Sequence, residues 1–285
     1  MSATPTPLRD KVTVPGLQLQ KSSGQKITAL TAYDYPTARI LDEVGIDIVL
    51  VGDSLAMTRL GYSSTLPLTF AETLVHLQAV RRGVRRALLI ADLPYGSYHV
   101  NSDEAVRAAL ECVKKGGAEG VKLEGGRKRI SLIERLLEAE IPVMGHIGLT
   151  PQSFHVMGGY KVQGKSEETA ERLFEDALCL QEAGVFSLVL EGVPRELASR
   201  VTASLRIPTI GIGAGPDCDG QILVTDDLLG FSFLPKPKFV RQYANLLEVI
   251  TAAVREYRHD CQSGDFPLDS ESYHAPEAMH AGRQP

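Results

Sequence analysis

Tryptophan is absent from this chain of 285 residues, and cysteine occurs only four times. The four cysteines are widely spaced and form no CxxC pair, so the sequence predicts reduced thiols and not a disulfide framework. The zinc patterns HxH and HExxH are also missing, which argues against a zinc site. We therefore expect a cytoplasmic protein.

Long apolar runs and a strong excess of one charge are missing as well. No apolar stretch approaches the roughly 18 residues that a membrane helix needs, and the N-terminal MSATPTPLRD lacks the apolar core of a signal peptide. The net charge is −5, and after Tyr257 two basic residues stand against five acidic ones. The remainder of the chain is close to neutral, which argues against a nucleic-acid surface.

The chain does contain eight short apolar runs, separated by segments with helical start and stop signals. These runs are nearly continuous in Val, Ile and Leu, which is typical of parallel strands covered on both faces. The alternation predicts an α/β fold, a TIM-type (β/α)8 barrel of about 250 residues, with its last repeat the weakest. We expect an N-terminal extension over 1–20, one barrel over 21–257 and a polar C-terminal tail over 258–285. The tail should be mobile unless a partner subunit orders it.

Almost every apolar run ends in a polar or glycine-rich signature. A barrel of this type carries its active site at the carboxyl ends of the strands, so these side chains should share one face. In chain order they are Asp34, Asp53 and Ser54, Asp92, Lys122 and Glu124, His146, Glu191, the glycines of GIGAG (211–215), and Asp226.

Three of these residues, Asp53, Asp92 and Glu124, end the second, third and fourth runs. Carboxylates that converge in one barrel mouth repel one another unless something positive lies between them. Hard oxygen ligands on rigid strands suit Mg²⁺, and the sequence therefore predicts a magnesium site. The alternative is that each acid caps the following helix or faces water.

Lys122 and Glu124 are two residues apart on one strand, so both should point into the barrel. Inside it, Lys122 would bind an anionic substrate beside the metal or form an internal ion pair with Glu124 or Asp92. Glu191 follows an apolar strand and is a candidate general base, or else a buried partner of a basic neighbour. His146 would polarise a carbonyl group or donate to the backbone.

Two glycine-rich segments have open roles. GIGAG (211–215) is similar to the phosphate cradle of barrel enzymes, although its glycines would also suit a tight connection into the last strand. Residues 151–165 form a connection longer than usual, which is typical of a mobile lid.

The motifs in their order resemble the ketopantoate hydroxymethyltransferase family. The resemblance runs from about Ile27 to His274 and depends on the combination, since a single GIGAG would not be specific. Its motifs are VGDS (51–54), STLPLT (64–69), ADLP (91–94), VKLEGG (121–126), GHIGLTPQS (145–153), GGYKVQGK (158–165), GIGAG (211–215), DGQILV (219–224) and SGDFPLDSESYH (263–274).

This resemblance implies transfer of a hydroxymethyl group from 5,10-methylenetetrahydrofolate to 3-methyl-2-oxobutanoate through a magnesium-stabilised enolate. The product would be ketopantoate, on the route to pantothenate and coenzyme A, and the enzyme would be a homodecamer with one Mg²⁺ per subunit. The roles implied by the motifs are metal binding by Asp53, Asp92 and Glu124, substrate contacts by Asp53, Ser54, Asp92 and Lys122, and proton acceptance by Glu191.

The chain departs from the family pattern at Ala56, where glycine is usual, and at Gly192, where a small side chain is commoner. Two other interpretations stay open. One is a different magnesium-dependent barrel enzyme acting on a 2-oxo acid, such as a carbon–carbon lyase. The other is a barrel that binds an oxo acid or a partner without turnover.

Overall fold

The computed structural model describes residues 10–275 and contains a closed barrel of eight parallel strands in sequential order. This confirms the predicted fold class. The strands are Ile27–Thr31 (β1), Ile48–Val51 (β2), Leu88–Asp92 (β3), Gly120–Glu124 (β4), Val143–Gly148 (β5), Ser187–Glu191 (β6), Thr209–Ile212 (β7) and Gly220–Leu223 (β8). The α-helices are Val14–Ser22 (α1), Tyr35–Val44 (α2), Leu55–Thr58 (α3), Phe70–Gly83 (α4), Ser102–Lys114 (α5), Ile130–Glu138 (α6), Phe154–Met157 (α7), Glu167–Glu182 (α8), Arg195–Ser204 (α9), Thr225–Leu229 (α10) and Leu246–Ser263 (α11).

Local capping signals place several helix ends. Thr69 and Glu72 form a reciprocal capping box at the start of α4, and the Asn101 side chain accepts from the Glu104 N–H at the start of α5. Helix α2 ends at Gly45, which adopts the left-handed conformation with φ 97°. These contacts satisfy backbone groups that a helix end otherwise leaves unpaired.

The predicted alternation of strand and helix is wrong between β7 and β8. Residues 213–219 join these two strands without a helix. The Asp219 side chain holds the connection in place, because it accepts from the Thr209 N–H at 2.8 Å and from Lys21 Nζ in α1 at 2.7 Å. Because no helix follows β7, the outer face of the barrel lacks the helix that would cover it between β7 and β8.

Apolar side chains fill the amino-terminal half of the barrel interior. Leu17 of α1 is fully buried in the same cluster as inward-facing strand residues such as Ile48, Ile90 and Ile210. Helix α1 thus closes the floor of the barrel, and the predicted N-terminal extension contributes to the core. A second, larger apolar cluster lies between the strands and the surrounding helices.

Helix α11 runs through Tyr257, so a boundary at that residue lies inside a helix, and the division into extension, barrel and tail stays a prediction. No residue of Leu246–Ser263 is buried. Residues 1–9 of the extension and 276–285 of the tail lie outside the described residues. Within 10–275, no helix is long and apolar enough to cross a membrane.

Candidate active site

Strand register brings the predicted polar residues together at the carboxyl end of the barrel. Asp92 on β3 lies opposite Lys122 on β4, and Glu124 on β4 lies opposite His146 on β5. Asp53 comes two residues after β2, and its backbone N–H donates weakly to Asp92 Oδ2 at 3.4 Å. All five side chains are buried.

Lys122 points into the barrel, as the period of the strand predicted. Its Nζ donates to Asp92 Oδ2 at 2.7 Å and lies 3.9 Å from Glu124 Oε1. Burial works to lower the pKa of Lys122, but Asp92, Glu124 and Asp53 outweigh burial and raise it. In this structure Lys122 is therefore a charged internal partner of the carboxylates.

The carboxylates differ in how their charge is balanced. Burial, followed by repulsion from Asp92 and Glu124, raises the pKa of Asp53 well above its usual range. Burial also raises the pKa of Asp92, although Lys122 opposes it. Burial alone would raise the pKa of Glu124 too, but His146 and Lys122 lower it overall. Asp53 is thus the carboxyl group whose negative charge is least balanced by the neighbouring basic groups.

His146 lies between two carboxylates on neighbouring strands. Its Nδ1 is 3.4 Å from Glu124 Oε1, and its Nε2 is 3.3 Å from Glu191 Oε2. Neither contact has the alignment of a hydrogen bond, so the attraction is mainly electrostatic. Burial and Lys122 lower the pKa of His146, but Glu124 and Glu191 outweigh them and raise it to about 9.

Glu191 is the last residue of β6 and lies nearer the opening of the barrel than the other acids. Its side chain is 16 % exposed, compared with 2 % for Glu124. Its basic neighbour in the structure is His146, for which the sequence left two roles open, polarisation of a carbonyl group or donation to the backbone. Gly192, which follows it, has φ 54°, a conformation that favours glycine.

Gln152 is a site residue that the sequence analysis missed. Its Nε2 donates to Asp53 Oδ2 at 3.1 Å and to the Leu93 carbonyl oxygen at 3.0 Å. Its backbone N–H donates to Glu124 Oε2 at 3.0 Å, and its Oε1 accepts from the Tyr98 hydroxyl at 2.7 Å. Only the motif GHIGLTPQS (145–153), which contains it, pointed toward this position.

Ser54 lies at the entrance to α3, where its hydroxyl is 2.6 Å from the Tyr33 hydroxyl. Tyr33 is buried in a small apolar cluster with Ala56, which is itself fully buried. Ala56 therefore belongs to the same buried cluster as Tyr33, whose hydroxyl lies beside Ser54.

Two strand-end acids have structural roles outside this cluster. The Asp34 side chain caps α2 by accepting from the Thr37 N–H. Asp226 is paired with Arg59 at 2.8 Å, and Arg59 also approaches Asp34 at 3.7 Å. Asp34 is therefore a helix cap, which is the alternative that the sequence left open for strand-end acids, and Asp226 is the partner of an ion pair that the sequence did not predict.

The GIGAG segment forms a tight connection and lacks the helix that a phosphate cradle requires. Gly213 and Gly215 both have positive φ values, 61° and 83°. A Cβ at Gly213 would lie 2.7 Å from the Phe239 ring, and one at Gly215 would lie 2.6 Å from the Arg195 side chain. Close packing explains these glycines.

The segment 151–165 carries exposed apolar side chains over the mouth. Val156 is 92 % exposed, and the Tyr160 hydroxyl lies 3.5 Å from the Met57 sulfur across the opening. A cavity of about 540 Å³ lies between this segment and residues after β4, including Gly126 and Lys128. These features suit a segment that closes over a ligand.

The donor set suits magnesium better than zinc. Asp92 Oδ1 and Glu124 Oε1 are buried without a hydrogen-bond partner. Glu124 Oε1 already faces His146 and Lys122, so Asp92 Oδ1 is the oxygen more open to a cation. Within residues 10–275, however, no three His, Cys, Asp or Glu side chains form a ready-made metal cage. Mg²⁺ does not need one, because it commonly takes one or two carboxylates together with waters and substrate oxygens.

Comparison with protein families and curated relatives gives a consistent result. Residues 11–269 match the family model described as ketopantoate hydroxymethyltransferase. The 3-methyl-2-oxobutanoate hydroxymethyltransferase of Koribacter versatilis is 58% identical over 281 residues, covering 99% of this chain and 95% of that protein. The enzyme of the same name from Moorella thermoacetica is 52% identical, covering 93% and 98%.

Solved structures share the fold at low sequence identity. Phosphonopyruvate hydrolase in complex with oxalate and Mg²⁺ superposes with a TM-score of 0.59 at 14% identity, covering 94% of this chain and 93% of that chain. A 2,3-dimethylmalate lyase of the PEP mutase/isocitrate lyase superfamily has a TM-score of 0.56 at 17% identity, covering 91% and 88%. At such identities these neighbours support the barrel fold alone.

Proposed function

The chain belongs to the ketopantoate hydroxymethyltransferase family, and we propose that its barrel mouth works with Mg²⁺ and with 5,10-methylenetetrahydrofolate as the one-carbon donor. The enzyme forms ketopantoate from 3-methyl-2-oxobutanoate, a step of pantothenate biosynthesis. The observation that carries the assignment of roles is the buried group of Asp53, Asp92, Lys122 and Glu124 at one end of the barrel.

Asp53, Asp92 and Glu124 would hold one Mg²⁺ per subunit. The unpaired Oδ1 of Asp92 and the repulsion that Asp53 experiences from Asp92 and Glu124 support this role. When bound, Mg²⁺ supplies Lewis-acid stabilisation for negative charge on the 2-oxo acid.

The substrate carboxylate lies beside Lys122 and Ser54, with Asp53 and Asp92 at the same site. Lys122 is a buried cation of the cluster, so it offers an anion a charge-assisted hydrogen bond in a low-dielectric environment. Its present partner Asp92 holds it at 2.7 Å and thereby fixes the position of the ammonium group.

Glu191 accepts the proton from the branched carbon beside the carbonyl group. Its partial exposure at the carboxyl end of β6 and its contact with His146 at 3.3 Å support this role. The deprotonated carbon then forms a bond to the methylene carbon of the folate. The two bonds from that carbon to folate nitrogens break, one water supplies the hydroxyl oxygen of the product, and the folate nitrogens take up the two protons released. The segment 151–165 closes to limit the entry of any further water.

Deuterium exchange tests the role of Glu191 directly. With Mg²⁺ and 3-methyl-2-oxobutanoate in D₂O, the wild-type protein should exchange deuterium into the branched carbon. Glu191→Gln keeps the shape but cannot accept the proton, so exchange should fall by about 10²-fold or more. Glu182→Gln, an exposed change in α8, is the matched control and should exchange at the wild-type rate.

Binding separates catalysis from structure in this experiment. Glu191→Gln should still bind the oxo acid, because Glu191 is not a proposed ligand. An equal loss of binding and exchange would make Glu191 a structural partner of His146, and undiminished exchange would transfer the base role to another group. Product formation that does not require the folate would contradict the hydroxymethyl transfer itself.

The assembly and location of the enzyme belong to the same proposal. The resemblance implies a homodecamer, and light scattering at working concentration tests it, since a monomer mass would contradict it. A cytoplasmic location is supported by cysteines that are free in the described residues.

A further inference from the structure

Gln152 is a buried, uncharged residue among the acids at the mouth of the barrel. It lies in the turn Pro151–Ser153, at the start of the segment 151–165, and only 5% of its surface is exposed. A buried amide needs partners for two N–H groups and one carbonyl oxygen, because an unpaired polar group away from water is costly. Gln152 finds a partner for each of them within the acid cluster or directly beside it.

These hydrogen bonds join the ends of three neighbouring strands. Gln152 Nε2 donates to Asp53 Oδ2 at 3.1 Å and to the Leu93 carbonyl oxygen at 3.0 Å. Leu93 directly follows Asp92, the last residue of β3. The Gln152 backbone N–H donates to Glu124 Oε2 at 3.0 Å. One residue therefore contacts the ends of β2, β3 and β4, which carry the three proposed metal ligands.

Tyr98 fixes the direction in which the amide faces. Its hydroxyl donates to Gln152 Oε1 at 2.7 Å and accepts from the Glu124 N–H at 3.2 Å. The reverse orientation of the amide would turn Oε1 toward Asp53 Oδ2 and the Leu93 carbonyl oxygen. Both of these atoms are acceptors, so the reverse orientation would lose two hydrogen bonds. The N–H groups of Gln152 thus face Asp53 and Leu93.

Tyr98 is itself held in place by its surroundings. It is buried, and the guanidinium carbon of Arg129 lies 4.8 Å from the centroid of its ring. Arg129 Nε donates to the Glu124 carbonyl oxygen at 3.2 Å. Residues that support metal ligands from behind in this way fix the direction in which the ligands point.

We propose that Gln152 is a positioning residue that orients Asp53 and Glu124 toward one Mg²⁺, a role that depends on the magnesium site proposed above. Each acid gives one oxygen to Gln152, which restricts rotation of its carboxylate. An amide donates a hydrogen bond without carrying a charge, so it orients Asp53 without cancelling the negative charge that attracts a cation. Lys122 differs, because its ammonium group neutralises its partner Asp92.

Titration of Mg²⁺ by calorimetry tests this role without relying on activity. Gln152→Met keeps a similar length but removes the amide, so Asp53 loses its donor and the affinity for Mg²⁺ should fall by about 10–100-fold. Tyr98→Phe removes only the hydroxyl that fixes the amide, and the affinity should fall less. In the Gln152→Met background the further loss from Tyr98→Phe should be smaller, because the hydroxyl acts partly through the amide.

Two control variants separate positioning from a general loss of stability. Gln163→Met changes the same residue type in the same segment, where the side chain bonds the Lys161 carbonyl oxygen. Gln181→Met removes another buried amide, on α8, whose carbonyl oxygen accepts from the backbone N–H groups of Arg206 and Ile207. Both variants should bind Mg²⁺ as the wild type does, and Gln181→Met should do so even though it lowers the free energy of unfolding.

The outcomes separate this inference from the proposed metal site. If the wild type does not bind Mg²⁺, or Asp92→Asn binds it as tightly, the metal site is wrong and the role of Gln152 is lost with it. If the wild type binds and Asp92→Asn binds more weakly, but Gln152→Met binds as tightly as the wild type, only the role of Gln152 is wrong. An equal loss of affinity in Gln152→Met and Gln181→Met would also overturn that role. Should Gln152→Met be too unstable to titrate, wild-type affinity in Tyr98→Phe would overturn it instead.

Discussion

Lys122→Met should destabilise the metal-free enzyme strongly, because it removes the buried cation of the carboxylate cluster. Lys122 Nζ lies 2.7 Å from Asp92 Oδ2 and 3.9 Å from Glu124 Oε1. Methionine has a similar length and an apolar tip, so the change deletes the charge with little loss of packing.

The expected cost is about 3–5 kcal/mol, the range for removing one partner of a buried ion pair. The Coulombic attraction between Lys122 and the carboxylates is larger than this range. Part of that attraction is cancelled by the cost of removing the charges from water, so the net cost is about 3–5 kcal/mol. Protonation of Asp92, whose pKa is already raised by burial, limits the cost. The penalty should therefore be smaller at lower pH.

Urea unfolding at fixed protein concentration measures this cost, once in chelator and once in saturating Mg²⁺. Mg²⁺ should recover part of the loss, since a ligand at a hundred times its dissociation constant stabilises by about 2.7 kcal/mol. Lys115→Met is the control, because Lys115 forms an exposed pair with Glu111 at 2.9 Å and should cost under about 1 kcal/mol. Equal stability of Lys122→Met and Lys115→Met in chelator would refute the electrostatic account.

Three further predictions follow from the same end of the barrel. Gly148→Ala should cost more than Gly24→Ala, because both glycines have positive φ but only at Gly148 would a Cβ overlap the Glu191 carbonyl oxygen; equal unfolding free energies would contradict this. The pKa of Asp53 is raised to about 8 by burial and neighbouring acids, so the folded protein retains a proton that the unfolded chain releases. In chelator, stability from this group should fall as pH rises from roughly 4 to 8, and Asp53→Asn should flatten that fall; an unchanged pH profile would contradict it. Asp92→Asn should raise the Mg²⁺ concentration needed for half-maximal activity far more than it lowers stability, and full wild-type activity in chelator would contradict the metal role.

The buried cluster could be predicted from local rules. Lys122 and Glu124 follow from the two-residue period of a strand, and their approach to Asp92 follows from the order of parallel neighbours. Both inferences need only the alternation of side chains along a strand and the order of the strands.

The contacts of Gln152 and His146 could not be predicted in the same way. Gln152 lies in a loop and reaches Asp53, 99 positions earlier in the chain, so no local period relates the two. His146 was expected at the mouth, but its position between Glu124 and Glu191 depends on the stagger of three strands. Between β7 and β8 the sequence left both a tight connection and a phosphate cradle open for GIGAG, because the glycines of the two look alike in sequence.

The closure of the barrel has a consequence for how the chain folds during synthesis. Strand β1 pairs with β8, and Lys21 bonds Asp219, 198 positions later. At about 5–20 residues per second, a ribosome needs roughly 10–40 s to deliver the second partner after the first. For that time the edge of β1 that pairs with β8 has no partner strand, although β2 can already pair with the other edge. An unpaired strand edge is a site where chains aggregate, so slow closure exposes the nascent chain to this risk.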